Sequence, residues 1–231
     1  MKNPKTTREP QYQVHLDHLK EHGSTRLGIH ANTTWHNDPK HLLFTLARYK
    51  FAAKMLAGKE NVAELGCGDG TGGRLVQPTV SNLTITDFDP IFIDDIRARI
   101  NSDWPVDAVV HDITEAPLSK AFDAVYTLDM MEHIDPKNES AAMTNIVKSL
   151  KKEGVFLVGI PSLASQKYAS PDGLEGHVNC KDGDLFKSDL LKWFHNVFIF
   201  SMNDEVVHTG FFPMAHYLLA ICCQPKMYKY D

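Results

Sequence analysis

The amino-acid sequence predicts an α/β fold with a mostly parallel sheet of seven strands, an antiparallel hairpin at its end, and helices on both faces. Short apolar runs alternate with helical segments through the middle of the chain, a pattern typical of βαβ units. Three of the helical segments begin with the same Asp-Pro pair. After Pro161 the alternation stops, and two apolar runs follow whose link lacks a helical pattern, which predicts antiparallel pairing.

The length and composition predict one folded domain with an N-terminal extension. The chain has 231 residues, of which 43% are hydrophobic and 23% charged, and these ordinary globular values exclude a disordered or fibrous chain. Single α/β domains of this size are common. We expect residues 59–231 to form the domain, and residues 1–58 to form an extension and a helix that pack on the site or cover it.

Asp-Pro pairs mark the beginnings of three predicted helices. Aspartate is a favoured N-cap residue and proline suits the first helical position, so helices are predicted to begin at Asp38-Pro39, Asp89-Pro90 and Asp135-Pro136. The first continues to Gly58, because apolar residues recur along it at three- and four-residue steps. Two further helices are predicted, at Val14 to Glu21, followed by a loop, and at Leu185 to His195.

Buried strands are predicted for the short apolar runs between these helices. Such runs, without alternation of polar residues, are typical of parallel strands that are covered on both faces. Five precede Pro161: Val62 to Leu65, Leu83 to Thr86, Val106 to Val110, Phe122 to Leu128, and Val155 to Ile160. Two follow it, Val197 to Met202 and Ala215 to Cys223.

Charge and cysteine usage limit the classes of partner and compartment. The net charge of −5 gives no basic surplus, which disfavours a nucleic-acid partner, because phosphate neutralisation supplies most of the affinity of such binders. The four cysteines form no CxxC pair, so we expect free thiols. The N-terminus lacks the apolar run of a signal peptide, and no apolar run approaches the ~18 residues of a membrane span. We therefore expect a cytoplasmic protein without a membrane segment, and its oligomeric state stays open.

A glycine-rich turn follows the first predicted strand. Gly66, Gly68 and Gly70 alternate there, and glycine lets the backbone approach a ligand closely. The spacing is GxGxG rather than the GxGxxG of an NAD-binding fold, and an acid, Glu64, stands two residues before the first glycine. A carboxylate there repels a pyrophosphate but suits an ammonium group or ribose hydroxyls. The second predicted strand ends at Asp87, where an acid can accept both hydrogen bonds of a ribose diol.

These motifs resemble those of the class I S-adenosylmethionine-dependent methyltransferases. The segment Glu64-Leu65-Gly66-Cys67-Gly68-Asp69-Gly70 is similar to the loop with which that family wraps the methionine and ribose of its cofactor, and Phe122 to Ile134 resembles its fourth-strand motif, FDxVxxxxxxEHI. The resemblance implies a Rossmann-like fold, S-adenosylmethionine (SAM) as cofactor and S-adenosylhomocysteine as product. The cofactor-binding residues that it implies are Glu64, Gly66, Cys67, Gly68, Asp69, Asp87, Phe88, Asp112, Ile113 and Asp129.

Two histidines are candidate catalytic residues for the methyl transfer that this resemblance implies. The reaction needs the nucleophile, methyl and sulfur in line, and a hydroxyl or ammonium acceptor must also lose a proton to a base. His133 follows the fourth strand and His177 lies in the long segment after the fifth, both at the carboxyl edge of the sheet. Histidine titrates near neutrality, which suits a base. Because Glu132-His133 lacks the spacing of common metal motifs, we expect no metal.

The sequence favours methyl transfer to a small molecule, most readily at a hydroxyl oxygen, with a sugar or sugar derivative as one candidate acceptor. No Asn/Asp-Pro-Pro-Tyr/Phe motif follows the fourth strand, and together with the acidic charge this disfavours a nucleic-acid methyltransferase. A SAM-binding sensor or partner subunit without activity stays open, because it would keep the same cofactor motifs. A protein methyltransferase is less favoured, and Glu64 with the glycine spacing disfavours an NAD-dependent oxidoreductase.

Overall fold

Eight strands form one sheet in the computed structural model, which describes residues 6–229. The strands are β1 (Asn61–Leu65), β2 (Asn82–Asp87), β3 (Asp107–Val110), β4 (Phe122–Leu128), β5 (Leu150–Pro161), β6 (Phe194–Asn203), β7 (Val206–His208) and β8 (Tyr217–Pro225). Their order in space is β3-β2-β1-β4-β5-β8-β6-β7. Strands β1 to β5 run parallel, whereas β8 pairs antiparallel with both β5 and β6.

The predicted sheet is confirmed in its class and differs in one strand. All seven predicted strands are present, with ends that move by up to five residues, and the two final ones pair antiparallel as expected. The extra strand is β7, a three-residue segment that pairs with the end of β6 across a tight turn. A segment this short gives too little hydrophobic pattern to be recognised from sequence.

Helices cover both faces of the sheet. They are α1 (Gln13–His22), α2 (Ile29–Asn37), α3 (Pro39–Met55), α4 (Gly73–Val76), α5 (Pro90–Arg97), α6 (Pro136–Lys148), α7 (Pro171–Gly176) and α8 (Gly183–Leu190). Helices α3, α4 and α5 pack on one apolar cluster, and α6 and α8 pack on a second cluster across the sheet. Within the described part of the chain, no helix is long and apolar enough to cross a bilayer.

The five predicted helices are present, with ends that move by up to five residues, whereas the sequence does not predict α2, α4 or α7. The side chains of Asp89 and Asp135 cap α5 and α6 as expected, accepting from the amides two residues later. Asp38, however, makes no capping hydrogen bond with its side chain among the residues that the structure describes. Asp38 is also the C-cap residue of α2, and α2 lies in the segment predicted as a loop.

Strand β1 shows how the sheet separates the two clusters. Ala63 and Leu65 belong to the cluster under α6, whereas Val62 belongs to the cluster under α3. Glu64 therefore lies on the same side as Val62, and it is completely buried. A carboxylate in this position needs hydrogen-bond donors from the helix layer above it, because burial without partners is costly.

Candidate active site

A cleft of about 480 Å³ opens at the carboxyl ends of the parallel strands. Its walls come from the segments that follow β1, β2, β3 and β4, where ligands bind in open α/β sheets. Among the residues predicted to bind cofactor, those that line it are Gly66, Gly68, Asp87, Phe88, Asp112, Ile113 and Asp129. His133 lines it too. The structure thus brings most of the predicted residues to one cleft, and Glu64, Cys67 and Asp69 lie behind its wall.

The turn after β1 requires glycine at its first position. Gly66 has a φ of 66°, in the left-handed region that glycine adopts without steric cost. A Cβ atom at this position would also lie 2.5 Å from the Cγ atom of Met130, which forms part of the same cleft. Any side chain at residue 66 would therefore displace the segment after β4.

Asp87 is held at the end of β2 with both carboxylate oxygens partly engaged. One oxygen accepts from the Gly68 amide at 2.9 Å and the other accepts from the Asp89 amide at 3.0 Å. Burial raises the pKa of this carboxyl, and the two backbone hydrogen bonds oppose that shift. Each oxygen keeps a lone pair for a further donor. The neighbouring Phe88 ring is 71% exposed at the rim of the cleft.

Glu64 is turned away from the cleft toward helix α3. Its two oxygens accept hydrogen bonds from the hydroxyls of Tyr49, at 2.8 Å, and Tyr126, at 2.7 Å. Burial raises the pKa of Glu64 to about 7, although both tyrosine hydrogen bonds lower it. Glu64 therefore links α3 to the sheet through the Tyr49 hydroxyl. Its predicted contact with a cofactor stays a prediction.

The other two predicted loop residues also point into the protein. Cys67 is buried in the apolar cluster under α3. Asp69 accepts from the amide of Ala31, in the first turn of α2, at 2.7 Å, and from the amide of Thr71 at 3.0 Å. Because the first amides of a helix have no partner within it, Asp69 acts as a cap supplied from another element. The cofactor loop and the N-terminal extension are thereby joined.

Asp129 occupies a strained backbone position at the end of β4. Its φ is 58°, which is uncommon for a residue other than glycine. Its amide lies 3.2 Å from both the Gly159 carbonyl oxygen and the Tyr217 hydroxyl. Both carboxylate oxygens accept from Nη1 of Arg48 at 2.7 Å. Contacts from β5, β8 and α3 thus fix this side chain at the cleft.

Arg48 is the buried partner in this ion pair. Its guanidinium carbon lies 4.0 Å from the centre of the Tyr217 ring, in a cation–π contact. Its side chain is 10% exposed, against 31% for that of Asp129. Burial by itself lowers the pKa of Arg48, but the charge and hydrogen bond of Asp129, together with the charges of Tyr217 and Glu132, outweigh burial and raise it. The guanidinium therefore stays charged, and the carboxylate of Asp129 balances its positive charge.

Glu132 is buried beside these charges without a hydrogen-bond partner. Both of its carboxylate oxygens are inaccessible to solvent, and neither has a partner within the described residues. Burial raises the pKa of Glu132 well above its usual range, and the charge of Asp129 raises it further. Its side chain lies next to His133 and His177, with one ligand atom from each of the three residues within 4.8 Å of the others.

His133 and His177 meet at the edge of the cleft, although 44 positions separate them in the sequence. Their ring centroids are 5.1 Å apart. Nδ1 of His133 lies 2.9 Å from the Gly176 carbonyl oxygen, and Nδ1 of His177 lies 2.8 Å from Oε1 of Gln166. Both partners only accept hydrogen bonds, so each Nδ1 must carry the proton and each Nε2 keeps its lone pair. Burial lowers the pKa of His177, and the neighbouring His133 lowers it further.

Part of the chain is similar to a known family. Residues 62–154, from β1 into β5, match the model of a methyltransferase domain. This segment is therefore similar to a methyltransferase domain. The matched segment contains the glycine-rich turn, Asp87, Asp129 and Glu132-His133, and so covers most of the cleft wall.

Two curated methyltransferases share part of the chain. An uncharacterised methyltransferase of Staphylococcus carnosus is 23% identical over 142 residues, which are 62% of this chain and 59% of that protein. A protein of Mycolicibacterium smegmatis, named "Probable S-adenosylmethionine-dependent methyltransferase", is 30% identical over 116 residues, 49% of this chain and 42% of that protein. The match thus spans about half the length of these relatives.

A solved methyltransferase has the same fold. The N-methyltransferase NodS of Bradyrhizobium japonicum, in complex with S-adenosylhomocysteine, superposes with a TM-score of 0.62. The alignment covers 83% of this chain and 90% of NodS, at 18% identity. At this identity the likeness concerns the fold alone.

The geometry of the cleft fits SAM, the cofactor of class I methyltransferases. Asp87 offers two carboxylate oxygens with free lone pairs, as a ribose diol requires. The exposed Phe88 ring is placed beside it for stacking on a base, and Asp112 lies farther along the same wall. The glycine backbone at residue 66 allows a ligand to approach closely. When bound, SAM would supply an activated methyl group on a sulfonium, and the protein would then have to align the acceptor with it.

Three residues of the candidate site are not predicted as site residues from the sequence. Arg48 and Tyr217 lie outside the family motifs, and only the folded chain brings them to Asp129. Glu132 was noted in the EHI motif but without a role, since its burial and lack of partners are not visible in the sequence. Arg48 lies off the apolar face that the sequence pattern gives for α3, so the pattern contains no signal that would have identified it.

Proposed function

We propose that this chain transfers the methyl group of SAM to a small-molecule acceptor, most readily at a hydroxyl oxygen. The observation that carries this proposal is the pairing of His133 and His177 at the rim of the cleft, each with Nδ1 protonated and Nε2 free. A hydroxyl must lose its proton as the methyl group arrives, and a free Nε2 accepts it. The acidic net charge favours a small acceptor over a nucleic acid.

In this proposal, helices α2 and α3 of the N-terminal segment cover the site. Helix α2 is tied to the cofactor loop through Asp69, and α3 is tied to the end of β4 through Arg48. His41 of α3 and His216 beside β8 have their pKa values lowered by burial first and by the charge of Arg48 next. Both therefore lie near the ion pair, and we assign them to the wall of the acceptor pocket.

A SAM-binding sensor is the second candidate function, because such a protein would have the same cleft. Incubation with methyl-labelled SAM and a metabolite extract separates the two. We expect a labelled product whose methyl group is on oxygen. Label on nitrogen would instead match the N-methyltransferase activity in the name of NodS. Absence of any labelled product over a range of extracts, with SAM binding intact, would favour the sensor.

Asp87→Ala is expected to weaken SAM binding by about 1–3 kcal/mol, the scale of hydrogen bonds to a charged group. The substitution removes the acceptor oxygens at the end of β2 and releases the Gly68 amide. Isothermal titration with SAM measures the change. Asp89→Ala is the matched control, because Asp89 caps α5 and its loss should cost about 1 kcal/mol of stability while SAM affinity is retained. Equal affinity of the Asp87→Ala variant would remove Asp87 from the cofactor site.

His133→Ala and His177→Ala are each expected to lower turnover by at least about tenfold, since a positioned acid–base group contributes 10²–10⁴-fold. SAM affinity should change little, because the two rings lie at the rim and not beside Asp87. The measurement is the rate of label transfer into the product found above, with His208→Ala on the edge strand β7 as control. Full turnover in both variants would contradict the role of this pair.

A further inference from the structure

We infer that Glu132, His133 and His177 form a binding site for one divalent transition-metal ion, which we call the Glu-His-His site. The sequence analysis expects no metal, because no familiar ligand spacing is present. The fold nevertheless brings one ligand atom of each residue within 4.8 Å of the others. Ligands about 2.1 Å from a tetrahedral zinc ion lie roughly 3.4 Å apart, so small movements of the exposed His133 ring complete the site.

The first independent argument comes from the buried carboxylate. Both oxygens of Glu132 are inaccessible and have no hydrogen-bond partner within residues 6–229. A buried acid is normally paired, hydrogen-bonded or bound to a metal. The charge of Arg48 acts on this carboxylate, but both 2.7 Å contacts of its Nη1 atom go to Asp129. The carboxylate of Glu132 is therefore available for a cation that the chain itself does not supply.

The second argument comes from the outer hydrogen bonds of the two histidines. Histidines that bind metal almost always donate their other ring N–H to a carbonyl or carboxylate, which fixes the tautomer and the ring orientation. His133 donates to the Gly176 carbonyl oxygen in this way, and His177 donates to Oε1 of Gln166. The amide nitrogen of Gln166 is in turn held by the Ser162 carbonyl oxygen at 3.2 Å. This chain of hydrogen bonds leaves both Nε2 atoms as ligands.

The donor set indicates which ions fit. Two imidazoles and one carboxylate suit zinc, iron, cobalt or manganese, whereas magnesium and calcium prefer oxygen ligands throughout. Three protein ligands also leave positions open for a small molecule. This use of the site rests on the proposed function and changes one part of it: with both Nε2 atoms bound to the ion, the histidines no longer act as the base. An acceptor hydroxyl bound to the ion would instead lose its proton to solvent more readily, since a metal lowers the pKa of a bound hydroxyl. Metal binding itself does not depend on that function.

The test titrates the full chain, purified without a histidine tag, with CoCl₂ and ZnCl₂, and uses MgCl₂ for comparison. His18 and His22 have ring centroids 4.3 Å apart on α1 and could chelate a metal adventitiously, so every variant is made in a H18A/H22A background. We expect one cobalt ion per chain, visible d–d absorption, competition by zinc, and a melting temperature that rises with metal concentration. Magnesium should produce none of these changes.

Variants decide whether the ion occupies this site. Glu132→Gln, His133→Ala and His177→Ala should each weaken cobalt binding by more than about tenfold, and Gln166→Leu by about tenfold through the orientation of His177. His111→Ala, in the same cleft but outside the Glu-His-His site, should bind as the parent does. If Glu132→Gln fails to fold, the exposed His133 carries the test. Absence of stoichiometric cobalt binding, or binding that all three ligand variants retain, overturns the inference. SAM titration of the same samples shows separately whether the proposed cofactor site is intact.

Discussion

Asp129→Ala is expected to lower the free energy of unfolding by about 3–5 kcal/mol, because it leaves a buried arginine charge without compensation. Arg48 is 10% exposed, and both short contacts of its Nη1 atom go to Asp129. The ring of Tyr217 remains as a partner, but a cation–π contact is worth far less than the lost ion pair. Urea unfolding followed by circular dichroism measures the change.

Two control variants remove the Arg48 charge alone or the charges of both Arg48 and Asp129. Arg48→Met should cost less, because the Asp129 side chain is 31% exposed and can be hydrated. The double variant Arg48→Met/Asp129→Ala should recover much of the loss, since neither charge is left buried. If the double variant is as unstable as the sum of the two single variants, Arg48 and Asp129 do not act as a pair.

Glu64→Gln is expected to change how stability depends on pH. The pKa of Glu64 is raised by burial from 4.5 to about 7 in the folded protein. Between these values the folded chain holds a proton that the unfolded chain releases, so the contribution of Glu64 is fully present below about pH 4.5 and lost as pH rises through about 7. A difference of this size corresponds to about 3 kcal/mol. Glutamine does not titrate and keeps an oxygen for one tyrosine hydroxyl and an amide for the other.

The measurement compares wild type and Glu64→Gln in urea at a series of pH values from 4.5 to 7.5. Relative to the wild type, the glutamine variant should gain about 3 kcal/mol over that range. The difference between the two proteins isolates Glu64 from the histidines, which titrate in both. A constant difference across the range would mean that the carboxyl is ionised throughout and that the two tyrosine hydrogen bonds overcome its burial.

The central strands could be predicted from sequence because burial on both faces leaves a continuous apolar signature. Phe122–Leu128 has the predicted bounds, β1 begins one residue earlier than predicted, and β2 is one residue longer at each end. Helix α2 could not be predicted, since its two threonines and two asparagines have weak helix propensity. Its first turn is satisfied by Asp69 from a distant part of the chain, a tertiary contact that a local pattern does not contain.

The sequence predicts those residues of the candidate site that come directly after a strand. It does not predict the contacts that depend on the direction of a side chain. Asp87, Asp129 and His133 come directly after strands, so topology alone brings them to the cleft. Glu64 and Asp69 stand in the same motif, but their side chains point to the tyrosines and to α2. Alternation along a strand decides which face a residue occupies, whereas the partners on that face depend on which helices pack there.

The three-way contact of Arg48, Asp129 and Tyr217 has a consequence for the order of folding. Asp129 is 81 residues from Arg48 and 88 residues from Tyr217 along the chain, so the contact belongs to the slow, non-local class. Strand β8, which carries Tyr217, inserts between β5 and β6 after all the other strands have been synthesised. A nascent or proteolytically shortened chain that stops before residue 217 can contain the glycine-rich turn and Asp87. It lacks Tyr217 and therefore the contacts of that residue with Arg48 and Asp129. The contact of Arg48, Asp129 and Tyr217 is therefore completed only when the last strand is in place.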